Sequence, residues 1–199
     1  MDLSPKLKIC GITTEKEITF LNQMDVDYVG FVFAKSRRKV TPETAKALRQ
    51  ALRKDIMTVG VFVNESPERI NEIASTCHLD IVQLHGQETQ ADMKAIHYPI
   101  WNAVGVKSQA DIESAATPLA QAILLDYRDP GSGQSFDWTL VPKERSYCLV
   151  LAGGIHAGNV QAAIRTANPD VIDVSSGVEE DGKKSEELVK EMIRRVKGK

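Results

Sequence analysis

Tyr147-Cys148-Leu149-Val150-Leu151-Ala152-Gly153-Gly154 opens the stretch, residues 147–177, on which the reading of this chain turns. The apolar run 147–151 predicts a buried parallel strand. Ala152-Gly153-Gly154 breaks the run, and 159–166 follows with helical spacing. A second apolar run, 170–174, ends in Ser175-Ser176-Gly177. Two strands that finish in Gly- and Ser-rich turns leave backbone N–H groups to converge on an anion. The plainer alternative is a pair of tight turns in which Gly serves backbone geometry alone. Both turns close an alternating strand–helix chain, however, and in a (β/α)8 barrel the loops after strands seven and eight hold the phosphate.

Working outward, the same alternation runs through the whole chain. Strands are predicted at 6–10, 28–33, 57–63, 80–84, 100–106 and 122–125, the last ending at Asp126. Helices are predicted at 14–24, from Thr41-Pro42-Glu43, from Ser66-Pro67-Glu68 to Cys77, at 88–96 and at 108–116. Thr13 or Thr14 caps the first, and Pro at the first helical position marks the second and third. A loop over 127–136 holds Pro130-Gly131-Ser132-Gly133, with only a short helix after Trp138. The closing helix, 184–197, carries Leu188, Val189, Met192, Ile193 and Val196 on one face. Eight strands alternating with eight helical segments call for a parallel sheet, and the eightfold count favours a closed single-domain (β/α)8 TIM barrel over residues 1–199 rather than a doubly wound sheet.

Composition sets the outer bounds. The 199 residues are 42% hydrophobic and 26% charged, as in an ordinary soluble protein. A formal net charge of −2 gives no reason to expect a nucleic-acid partner or an anionic membrane surface. No apolar run approaches a membrane span and no signal-peptide pattern opens the chain. The three cysteines, Cys10, Cys77 and Cys148, form no Cys-x-x-Cys pair. They predict thiols in a cytoplasmic protein. The four histidines show no ligand spacing, so no metal site is expected.

In a barrel, reactive groups belong at the C-terminal strand ends. Cys10 ends the first strand and Asp126 the sixth, three apart around the ring, so they face each other across the mouth. Side chains alternate along a strand, which puts Lys8 on the inward side with Cys10. A nearby cation favours the thiolate, so the Cys10 thiol is expected to ionise readily. Cys77 and Cys148 read as small buried hydrophobes. Ser36-Arg37-Arg38-Lys39 is either a solvated rim loop or a carboxylate clamp. His85 either donates to a substrate or caps a turn. Asp173 is an inward polar group at the site or the partner of a buried base.

Lys8-Ile9-Cys10-Gly11-Ile12-Thr13 resembles the opening motif of the phosphoribosylanthranilate isomerase family of tryptophan biosynthesis. The likeness continues through Gly30-Phe31-Val32-Phe33, Ser36 to Arg38, Gly60-Val61-Phe62-Val63-Asn64 and Gln83-Leu84-His85-Gly86. It goes on through Leu125-Asp126, Phe136-Asp137-Trp138, Leu151-Ala152-Gly153-Gly154 and Asp173-Val174-Ser175-Ser176-Gly177-Val178-Glu179. Two positions depart from the family pattern: Pro130, where a glycine is usual, and Arg37, where proline is frequent. The resemblance implies an Amadori rearrangement of N-(5′-phosphoribosyl)anthranilate, without cofactor, by a monomer or homodimer. It implies Cys10 as general base and Asp126 as general acid. Arg38 would hold the anthranilate carboxylate, with His85 and Asp173 also on the phosphosugar. Gly153, Gly154, Ser175, Ser176 and Gly177 would bind the phosphate. Two other readings stay open at this point: a different phosphosugar enzyme such as an indole-glycerol-phosphate synthase-like lyase, and a barrel that binds a phosphorylated ligand without turnover.

Overall fold

The computed structural model describes residues 4–127 and 134–198. Eight strands pair in chain order and close into a barrel: β1 (Lys6–Cys10), β2 (Tyr28–Val32), β3 (Met57–Phe62), β4 (Ile81–Leu84), β5 (Ile100–Val106), β6 (Ala122–Tyr127), β7 (Cys148–Leu151) and β8 (Val171–Val174). Every neighbour is parallel, and the ring shuts where β1 meets β8 with Lys8 opposite Asp173. Outside it lie α1 (Glu15–Leu21), α2 (Pro42–Ala51), α3 (Pro67–Cys77), α4 (Gln90–Ala95), α5 (Gln109–Ala115), a 3-10 turn at Trp138–Leu140, α6 (Val160–Ala167) and α7 (Glu186–Lys197). The expected (β/α)8 barrel is the observed one. Of the loop foreseen over 127–136, Pro130-Gly131-Ser132-Gly133 lies outside the described residues. No helix among the described residues is long and apolar enough to cross a membrane.

Period-two alternation divides the apolar side chains into two cores. Leu7 and Ile9 of β1, Ile123 and Leu125 of β6, and Ile172 and Val174 of β8 face the helices in the outer layer. Tyr28, Val59, Ile81, Trp101, Leu124, Val150 and Val171 fill the inside of the ring. The barrel is therefore a packed plug and not a pore, and a side chain one step further along an inward row emerges at the C-terminal mouth. Cys10, Asp126 and Asp173 occupy such steps on β1, β6 and β8.

Local signals in the sequence carry the helix starts. Thr14 caps α1 in a reciprocal box: its hydroxyl accepts from the Glu17 N–H at 3.3 Å, and Glu17 Oε2 accepts from the Thr14 N–H at 2.9 Å. Thr41 and Ser66 cap α2 and α3, each followed by Pro at the first helical position. One expectation fails. The last helix does not begin at Lys184, because 179–184 is a hairpin of β9 (Glu179–Glu180) and β10 (Lys183–Lys184). Its turn residues, Asp181 at φ 49° and Gly182 at φ 78°, both take the left-handed conformation that a tight two-residue hairpin requires. Lys184 is buried as a result, and helix α7 starts two residues later.

Candidate active site

At the C-terminal mouth a cavity of about 370 Å³ opens between the strand ends. Cys10, Arg38, His85, Asp126, Gly153, Gly154, Asp173, Ser175 and Ser176 all line it. Residues from β1, β4, β6 and β8 thus converge as the register argument requires. Gly177 is the exception among the residues singled out from sequence. It sits behind the wall, where a Cβ would drive into the Ile155 carbonyl oxygen, and its requirement is close packing of the loops after β7 and β8.

The floor of the cavity is a polar chain. Lys8, with no solvent exposure, donates to Asp173 Oδ2 at 2.7 Å and to Gln83 Oε1 at 2.9 Å. Asp173 is therefore both of the things considered for it, the partner of a buried base and a wall of the site. Its other oxygen, Oδ1, is buried and has no hydrogen-bond partner among the described residues. Gln83 Nε2 lies 3.3 Å from His85 Nδ1, and His85 Nε2 stands 3.5 Å from Asp126 Oδ2.

The two candidate proton-transfer groups are shifted in the same direction. Burial pushes Asp126 up to about 7, against the Tyr127 N–H that donates to its Oδ1 at 2.6 Å. Asp173 adds to the rise and Lys8 opposes it. A carboxyl at that value holds its proton in a large share of molecules at neutral pH. Cys10 corrects the sequence expectation. Its thiol is pushed up, not down: burial is the largest effect, and Asp173 adds to it, while Lys8 and Lys184 pull the other way. The physical reason is burial, which strips the thiolate of its hydration, and Lys8, shared with Asp173 at 2.7 Å, does not offset it. His85 is neutral at pH 7: burial and then Lys8 bring it to about 4, opposed by Asp173.

The rim is clamped by a residue to which sequence reasoning gave no role. Glu179, on the hairpin, accepts from Arg38 Nε at 2.6 Å and from an Arg38 terminal nitrogen at 2.9 Å. It also accepts from Arg37 and, at 2.6 Å, from Lys184 Nζ. Burial works against this carboxylate, but the Arg38 and Lys184 hydrogen bonds win and hold it at about 2. Both arginines bind Glu179, yet they differ in place. Arg38 is 13% exposed and lines the cavity, whereas the Arg37 side chain is 57% exposed and does not. Gly11, at φ 85°, lets this happen, since a Cβ there would strike the Arg38 side chain. The Asp-Gly pair at 181–182 was the signal that would have found the hairpin, and with it Glu179 and Lys184.

Opposite the clamp, Gly153 and Gly154 turn with φ of 82° and 60°. A Cβ on Gly153 would lie 2.6 Å from the Tyr127 nitrogen and 2.8 Å from Asp126 Oδ1, so this glycine lets the loop after β7 pass close over the acid. Asn159 fixes the turn by donating to the Gly154 carbonyl at 2.8 Å. Ser175 donates to the Cys10 carbonyl at 3.0 Å and ties the loop after β8 to the end of β1. The cavity thus offers a carboxyl that burial makes titrate near neutral pH, a thiol, a guanidinium on one rim and Gly-Ser turns on the other.

Comparison with known proteins shows what the chain and its fold are similar to. A family model described as N-(5′-phosphoribosyl)anthranilate (PRA) isomerase matches residues 7–195. The chain is 40% identical to the N-(5′-phosphoribosyl)anthranilate isomerase of Thermoanaerobacter sp. (strain X514), over 97% of this chain and 98% of that one. Its fold is similar to the crystal structure of phosphoribosyl anthranilate isomerase from Thermotoga maritima, with a TM-score of 0.91 at 40% identity, over 98% of this chain and all of that one. A structure of such an isomerase in complex with reduced 1-(o-carboxyphenylamino)-1-deoxyribulose 5-phosphate matches at TM-score 0.88 and 39% identity, over 98% of this chain and 100% of that one.

Proposed function

The chain belongs to the N-(5′-phosphoribosyl)anthranilate isomerase family, and from that premise we propose that its cavity carries out the Amadori rearrangement with Cys10 as general base and Asp126 as general acid. The observation that carries this assignment is that the two groups line one cavity while burial keeps the carboxyl protonated to about pH 7. Asp126 gives its proton to the ribose ring oxygen as the C1′–O bond breaks, and the anilino nitrogen lone pair forms the imine. The Cys10 thiolate then removes the proton from C2′, and its electron pair moves to C1′ as the imine becomes an enamine. Tautomerisation of the enol gives the C2′ ketone. C1′ is reduced and C2′ oxidised within one molecule, so no external electron carrier enters the balance.

The substrate's two anionic ends fit the two rims. Glu179 takes two of the five N–H donors of Arg38, and the remaining donors meet the anthranilate carboxylate. The loops at Gly153-Gly154 and Ser175-Ser176 take the phosphate, in the manner of barrel phosphate sites. Asp173 Oδ1 and His85 Nε2, both buried with no hydrogen-bond partner among the described residues, face the sugar, and the His85 nitrogen does so from beside Asp126. The same reading makes residues 1–199 one isomerase domain, cytoplasmic, working as a monomer or homodimer. The test is turnover of the purified protein, followed by loss of anthranilate fluorescence, beside complementation of a tryptophan auxotroph that lacks this isomerase. A folded protein that does neither refutes the assignment.

Two binding predictions follow from the rims. Arg38→Ala is expected to raise KM by an amount equivalent to about 1.5–3 kcal/mol, one charge-assisted hydrogen bond. Arg37→Ala should do much less, because that side chain is 57% exposed and points off the cavity. Reversed effects would move the clamp to Arg37. Gly154→Val forces a β-branched residue to φ near 60° at the phosphate rim. It should raise KM strongly and weaken competitive inhibition by inorganic phosphate. An unchanged phosphate inhibition constant in a folded Gly154→Val protein would take this turn out of the site.

A further inference from the structure

The polar chain under the cavity settles a proton that the reaction scheme leaves unassigned. Lys8 Nζ donates to Gln83 Oε1 at 2.9 Å. An ammonium has no acceptor atom, so the oxygen of Gln83 must face it and the NH2 must turn the other way. There the NH2 lies 3.3 Å from His85 Nδ1. An amide nitrogen only donates, so Nδ1 is the bare, accepting nitrogen of the ring. The ring is neutral at pH 7, held by burial and by Lys8 at about 4, and its single proton therefore sits on Nε2. That atom is buried, has no hydrogen-bond partner among the described residues, and stands 3.5 Å from Asp126 Oδ2.

We propose that Lys8 and Gln83 are positioning residues that lock His85 as its Nε2–H tautomer, so that the ring presents a fixed donor beside the Asp126 carboxyl. The proposal rests on the reading of Asp126 as the general acid. With the opposite tautomer a bare Nε2 would face the protonated carboxyl, accept its O–H and draw the proton away from the substrate. With Nε2–H in place the ring is no acceptor for that proton, and it donates to the carboxylate left behind after the transfer. Lys8, placed on β1 facing Gln83 of β4, thus acts on Asp126 of β6 through an amide and an imidazole.

The tautomer is read by long-range 1H–15N correlation of the 15N-labelled imidazoles in the unliganded protein at pH 7. The wild-type His85 is expected to carry its proton on Nε2 alone. Gln83→Glu puts an acceptor oxygen where the NH2 was and should place a proton on Nδ1, with kcat reduced by about tenfold or more and KM within about threefold. Gln83→Leu should leave mixed tautomers and a smaller loss of kcat. Replacing His85 by Gln, which keeps an uncharged donor, should retain more kcat than His85→Leu. A wild-type spectrum with Nδ1 protonated or with mixed tautomers overturns the proposal, whatever the variants do. So does a Gln83→Glu protein with Nδ1 protonated and kcat unchanged. Failure of the isomerase reading looks different: the wild type would show the Nε2–H spectrum and no turnover.

Discussion

Asp126→Asn is expected to lower kcat by at least about a hundredfold, as loss of a general acid should, and at the same time to make the protein more stable above pH 7. The two effects share one cause. Burial raises the carboxyl from 3.8 to about 7, so the folded state binds this proton more tightly than the unfolded chain. The stability that comes from this linkage is complete below about pH 4 and lost progressively as the pH climbs to about 7, on the order of 4 kcal/mol in all. Above that pH the wild type carries a buried carboxylate, and the neutral amide of the variant does not. Urea midpoints of the two proteins should therefore differ by more at pH 8 than at pH 5, where only part of the stability has been lost. Cys10→Ala should match the loss in kcat with little change in KM. The pH profile of kcat/KM adds a separate check. The productive form has Asp126 protonated and Cys10 ionised, while the thiol is pushed above its ordinary 9.0. The active fraction then rises until Asp126 titrates near 7 and stays flat up to the thiol's own titration, so the limbs belong to the coupled pair. A kcat for either variant within tenfold of the wild type removes that residue from the proton transfer.

Lys8→Met should be the most destabilising single change in the barrel, by about 3–5 kcal/mol. The methionine fills the volume, but Asp173 is left 7% exposed with its counter-charge gone, and an unpaired buried carboxylate is far costlier than a paired one. With total stabilities of about 5–15 kcal/mol, this brings the protein close to unfolding at ordinary temperature. Combining Lys8→Met with Asp173→Asn removes both charges and should recover much of the loss. Urea denaturation with an unchanged m-value reads the difference. A double variant no more stable than Lys8→Met alone would mean that volume, not charge, governs the site.

What could be read from the chain divides along physical lines. Strands were legible because they are short apolar runs bounded by Gly, Ser and Pro, and helix starts because Thr14, Thr41 and Ser66 satisfy backbone N–H groups within four residues of themselves. Alternation along a strand then gave the inward placement of Lys8, Cys10 and Asp126, while Asp173 stayed open between two roles. The partner of Lys8 was not legible, since it depends on the pairing of β1 with β8 across 165 residues. Without that partner, the pull of Lys8 on the Cys10 thiol was overestimated and the effect of burial missed. The hairpin at 179–184 was written in Asp181-Gly182, but the charged flanks read equally well as the first turn of α7. His85 could not be given its tautomer until Gln83 and Lys8 were seen on either side of one amide.

The 165 residues between Lys8 and Asp173 also set a timetable for the newborn chain. At roughly 5–20 residues per second, β1 leaves the ribosome on the order of ten to thirty seconds before the carboxylate that neutralises its lysine. In that interval β1 has β2 on one edge and nothing on the other, and its inward lysine has no anion to meet. A collapsed chain that sealed Lys8 before Asp173 arrives would bear the desolvation of a lone ammonium. Pairing with β8 supplies that anion, and the same strand completes the mouth of the cavity.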